Sequence, residues 1–158
     1  MQHKNLGEMH CPIARSLARV GEWWSILILR DALRGRTRFD EFRKSLDIAP
    51  NMLSRRLNEL VEAGLLERRR YSERPPRDEY ILTQRGREFR PVLQALMAWG
   101  NHHFAPEGAS VMMVDSETGR PVEAVMVDRV TGLPLDDPRF KVVAGPAAPS
   151  RTVEEASR

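Results

Sequence analysis

Apolar positions recur at helical spacing through the first hundred residues. Ile13, Leu17 and Val20 are separated by four and three residues, which places them on one face and predicts a helix over 12–20. Pro12 suits its first turn, where a missing N–H costs nothing, and Gly21 ends it. From Glu22 to Leu33, the residues Trp23, Trp24, Ile26, Leu27, Ile28, Leu29, Ala32 and Leu33 leave little polar surface, so this segment predicts a buried central helix. Gly35 closes it, and Arg36-Thr37-Arg38 reads as a short basic strand. A third helix is expected over 40–46, with Asp40 as N-cap, Phe42 and Leu46 turned inward and Phe39 as a staple. After the tight connection Asp47-Ile48-Ala49, Pro50 opens a fourth helix that runs to about Ala63. Leu53, Leu57 and Leu60 mark its inner face, and Gly64 stops it.

Two helices joined by a tight turn form a helix-turn-helix. Leu65 to Tyr71 then reads as a strand and Glu79 to Leu82 as its partner, with a proline-stiffened loop over 72–77. A helix-turn-helix followed by a basic hairpin is a winged helix. Thr83 can cap a last helix over 84–103, in which Pro91 forces a kink or a fresh start. Beyond Ala105 the pattern changes to a repeat of 13 residues: Met113 to Glu123 is echoed by Met126 to Asp136. Each unit is a short apolar strand, a Thr-Gly turn and a second strand, so two small hairpins are expected over 111–136. The expected organisation is an N-terminal arm (1–10), a winged helix-turn-helix domain (11–104), a hairpin appendage (105–143) and a disordered tail (144–158). The fold class is mainly α with a small β wing (α+β).

Charge sharpens this picture. The net charge of the chain is only +3, but residues 34–90 carry 15 Lys and Arg against 10 Asp and Glu, net +5, while residues 105–158 are net −3. A basic middle points to an anionic partner, double-stranded DNA first. No apolar run reaches the roughly 18–20 residues that span a bilayer, so no membrane role is expected. Residues 1–10 lack the apolar stretch of a signal peptide, and the single cysteine, Cys11, forms no internal disulfide; the cytoplasm is the expected location. No phosphate loop, His-Glu-x-x-His or nucleophile elbow is present, so no enzyme, cofactor or metal is expected. The adjacent His102 and His103 diverge on a helix and share an ion poorly.

With Leu53, Leu57 and Leu60 facing the core, Asn51, Ser54, Arg55 and Asn58 point outward and Arg56 lies on the flank. Such a face suits base edges and phosphates in a major groove, Arg pairing with guanine and Asn with adenine. Arg36 and Arg38 lie before the third helix. Strand alternation sends Arg68 and Arg70 to one side of the wing and Arg69 to the other, and Arg74 and Arg77 flank the tip. These residues can hold phosphates or reach a minor groove. An ordinary solvated helix face and a charged strand edge are the plainer readings of the same residues.

Several segments in order resemble the HxlR-type winged helix-turn-helix transcriptional regulators of bacteria. They are Cys11-Pro12-Ile13, Gly21-Glu22-Trp23-Trp24-Ser25, Ile28-Leu29-Arg30, Arg38 to Phe42, Met52 to Leu57, Leu60, Gly64-Leu65, Pro75-Pro76-Arg77, Tyr80 to Thr83 and Gly86. The resemblance covers about 11–100. It implies a homodimer, joined through the first and last helices, that binds a palindromic operator, with repression by occlusion as the default. Ala49 departs from the Ser or Thr common in the family before the fourth helix. The turns at Asp115…Thr118-Gly119 and Asp128…Thr131-Gly132 look like zinc knuckles that have lost their thiolates, so zinc is not expected. Cys11 sits where some members sense oxidants. Trp23, Trp24 and Trp99 read as core or dimer contacts, with a small-molecule effector pocket between them as an alternative. A winged-helix module whose basic face meets an acidic protein is the rival reading.

Overall fold

The computed structural model describes residues 6–8 and 11–148. The expected arm and tail therefore lie largely outside the described residues; of the arm, Leu6–Glu8 form a single 3-10 turn. Contacts divide the chain into two units at Leu93 and Gln94, inside the last helix, whereas the sequence placed a boundary at 104/105.

In the first unit, α1 is Pro12–Val20, α2 Trp23–Leu33, α3 Phe39–Leu46 and α4 Pro50–Glu62. The hairpin β1 (Leu66–Glu73) and β2 (Pro76–Leu82) follows, then the single turn α5 (Gln84–Arg87) and the start of α6 (Arg90–His103). The apolar stripes converge as their spacing requires: Ile28, Leu29, Phe42, Leu53, Leu57 and Leu60 are fully buried, with Leu66 at the root of the wing. Each such side chain contributes about 1.5–3 kcal/mol through removal from water. At the foot of the wing Gly86 lies so close to the backbone of Leu65 that a Cβ would sit 2.1 Å from its carbonyl oxygen.

Three local readings change. α3 begins at Phe39, with Arg38 as N-cap; the carboxylate of Glu41 accepts from the backbone N–H groups of Thr37 and Arg38, both at 2.9 Å. Asp40 is thus inside the helix and Phe39 is its first residue, not a staple before it. α2 is less uniformly buried than its composition suggests. Trp23 is 60% exposed and stacks on Trp24, whereas Asp31 is fully buried. Arg36-Thr37-Arg38 forms no strand, only the bridge from Arg38 to Glu79, with Tyr80 N–H donating to the Thr37 carbonyl at 2.7 Å.

The wing is longer than expected and its turn is only Arg74-Pro75, joined by a cis peptide bond. Ser72, Glu73, Pro76 and Arg77, expected as loop, continue the ladder, and charge pairs just below them tie the strands together: Arg69 with Glu79 at 2.8 Å and Arg70 with Asp78 at 3.0 Å. A bulge at Tyr71 separates the pairs Arg70–Asp78 and Ser72–Arg77. The last helix starts afresh, as Pro91 requires, with α5 and α6 separated at Glu88 and Phe89.

The second unit repeats its chemistry every 13 residues. Asp115 N–H donates to the Arg120 carbonyl and Asp128 N–H to the Leu133 carbonyl, at 2.9 and 2.8 Å. Each Asp carboxylate also accepts from the turn, from Glu117 and Thr118 N–H in one and from Thr131 N–H and hydroxyl in the other. Gly119 and Gly132 adopt φ values of 69° and 71°, where a Cβ is disfavoured. The hairpins are minimal, each held by one bridge, Val114–Pro121 and Val127–Pro134.

Candidate nucleic-acid interface

α4 is positioned by its three core leucines, by Pro50 at its start and by side chains that hold its far end. Thr83 Oγ1 donates to the Gly64 carbonyl at 2.7 Å, and Arg85 Nη1 to the Ala63 carbonyl at 2.9 Å. Its N-cap, Ala49, makes no side-chain cap, so the first N–H groups of the helix have no capping oxygen from that residue. Asn51, Ser54, Arg55 and Asn58 are all exposed, and together they form the outward face that the periodicity predicts.

Arg55 is 68% exposed, and its Nε donates to Glu59 Oε1 at 3.0 Å. Arg56 is different. Its side chain is only 9% exposed, its Nη1 donates to Glu59 Oε2, and its Nη2 lies 3.2 Å from Glu22, the N-cap of α2. The flank position read from the sequence is therefore a buried one, and the guanidinium is spent on intramolecular pairs. Burial pushes the Glu59 carboxyl up, but hydrogen bonds from Arg55 and Arg56 outweigh it and hold the group below its ordinary value.

The remaining basic residues divide into held and free. Arg36 reaches the buried Asp31 at 3.5 Å, and Arg30 pairs with the same carboxylate at 2.9 Å. Arg38 lies over the ring of Tyr71, 4.7 Å from its centroid. Arg70 is drawn to Asp78 and Glu73, which raise its pKa. Arg68, Arg74 and Arg77 are exposed and form no ion pair among the described residues. Asp31, Glu59 and Tyr71 thus support the basic face although sequence reading passed over them. The spacing of Arg55 and Glu59, four residues apart on a helix, is the signal that could have revealed one of them.

Cys11 is an exposed free thiol at the N-cap of α1. The first unit holds a cleft of about 500 Å³ lined by Leu17, Gly21, Glu22, Arg55, Arg56 and Glu59 among others, not by tryptophans. Among the described residues no helix is long and apolar enough to cross a membrane.

A helix-turn-helix with an exposed polar recognition helix and an arginine-tipped hairpin defines a winged-helix DNA-binding protein. The sequence pattern of the HxlR-like helix-turn-helix family matches residues 19–108, and the chain belongs to that family of transcriptional regulators. An uncharacterised HTH-type transcriptional regulator of Mycobacterium tuberculosis (strain ATCC 25618 / H37Rv) is 40% identical over 114 residues, 72% of this chain and 70% of the relative. Among solved structures, a candidate transcription factor from Pseudomonas aeruginosa is 58% identical, with a TM-score of 0.66 over 92% of this chain and 99% of its own. The redox regulator HypR, solved in its oxidised form, is 33% identical, with a TM-score of 0.55 over 59% of this chain and 97% of its own.

Proposed function

We propose that the protein is a homodimeric repressor that acts in the cytoplasm, reading a palindromic operator with α4 in the major groove and the wing against the flanking backbone. The observation that carries this reading is the exposed row Asn51, Ser54, Arg55 and Asn58 on α4. Arg68, Arg74 and Arg77, which form no ion pair among the described residues, accompany it on the wing. Arg55 and the two asparagines are the base readers, Ser54 and the wing arginines the phosphate contacts. Arg36, Arg38 and Arg70 contribute to the basic field from tethered positions, and Arg56 supports α4 from behind without touching DNA.

Titration against a duplex of the region upstream of the protein's own gene, and against a random duplex, tests this reading. Binding to neither at low salt sinks it in favour of an acidic protein partner. Arg55→Ala should cost about 1–3 kcal/mol on the specific duplex and little on the random one. A uniform loss on both would remove Arg55 as a base reader.

A second reading is favoured by the exposed Cys11 thiol together with the likeness to HypR. Oxidation, as a disulfide between the two Cys11 residues of a dimer or by direct modification, switches DNA affinity. Peroxide should then change operator binding in the wild type but not in Cys11→Ser; an equal response of the two excludes the switch.

A further inference from the structure

We propose that Glu59 is a positioning residue for DNA recognition, fixing the edge that Arg55 presents to a base. The inference rests on the reading of Arg55 as a base contact and deepens it. A guanidinium has two bidentate edges, a lateral one that includes Nε and an end-on one formed by its two terminal nitrogens. Glu59 Oε1 takes the lateral edge through Nε at 3.0 Å. The end-on pair is left to the outside, on a side chain 68% exposed.

An exposed pair four residues apart on a helix ordinarily restrains little, since both partners lose side-chain freedom to meet. Here one partner is already fixed from beneath. Glu59 Oε2 accepts from Nη1 of the nearly buried Arg56, whose Nη2 is held in turn by Glu22 at the start of α2. The result is a polar relay, Glu22–Arg56–Glu59–Arg55, running from the root of α2 to the outward face of α4. All four residues line the cleft of about 500 Å³, so open space lies beside Arg55. The hydrogen bond from its Nε to the Glu59 carboxylate is the contact that orients it.

The test uses the full-length protein, with the tightest duplex that the wild type selects from a randomised library and a scrambled duplex of the same length. Glu59→Gln keeps size and removes one negative charge beside the DNA. Its affinity for the scrambled duplex should equal or exceed that of the wild type, while affinity for the selected duplex falls roughly tenfold, within the worth of one bidentate base contact. In an Arg55→Ala background the same change should produce no further loss of discrimination. The inference is overturned if Glu59→Gln weakens both duplexes alike, leaves the ratio unchanged, or adds its full effect to that of Arg55→Ala. If Arg55→Ala itself leaves discrimination intact, the base-reading role fails and this inference with it. An intact Arg55 effect beside an indifferent Glu59 sinks the inference alone.

Discussion

At Ala49 the backbone is already extended, with φ −59° and ψ 136°, and only the capping oxygen is lacking. Ala49→Ser should therefore stabilise the protein by about 1 kcal/mol, measured by urea denaturation, because the hydroxyl can accept from an N–H of the first turn of α4. A neutral or negative change would show that the cap geometry is not available. Glu59 gives a pH test. Its folded pKa is held below the ordinary carboxylate value, so the stability it provides is fully present above that ordinary value. That stability disappears as pH falls through the lower folded value. Wild type should exceed Glu59→Gln in stability at pH 7, and the two should converge under acid; a gap independent of pH would assign the difference to packing. The identity of the outward residues on α4 was legible in the leucine spacing, whereas the burial of Arg56 was not. Arg56 lies about 60° around the helix from Leu53, close enough to the inner face for a long side chain to tuck under. Only the acceptors Glu22 and Glu59, one of them on another helix, make that burial tolerable.

Helices announced themselves through three- and four-residue spacing and through Pro12, Pro50 and Gly64 at their ends. The wing was legible as a hairpin but its outer half was not, because that half carries almost no apolar residue. Its ladder is closed by charge pairs between strands, and such pairs depend on a register that a bulge at Tyr71 shifts. Sequence alternation alone cannot reveal where one residue is skipped. The wing also yields a prediction distinct from that for α4. Arg77→Ala at the exposed tip should weaken binding to operator and random duplex equally, and it should lower the slope of log affinity against log salt by about one. Loss confined to the operator would recast the tip as a base reader in the minor groove.

For the whole molecule, the modest net charge conceals a basic first unit and an acidic appendage, and that division was plain from the sequence. What single-chain periodicity could not decide is which amphipathic faces stay uncovered. Ile13 and Leu17 on α1 are 70% and 49% exposed, and Val92, Leu96 and Trp99 on α6 are 52%, 46% and 55% exposed. These faces are what the homodimer proposed above would cover. Leu96→Glu should yield a monomer in sedimentation and abolish operator binding while leaving the thermal transition cooperative; a dimer that persists would place the contact elsewhere. The appendage has a consequence of another kind. Every hydrogen bond of each turn, from Met113 to Val122 and again from Met126 to Leu135, closes inside its own 13 residues. Nothing in one copy waits on its neighbour for a partner. Removing or doubling one unit would leave no broken hydrogen-bond ladder behind, so each repeat is a self-closed link rather than half of a larger sheet.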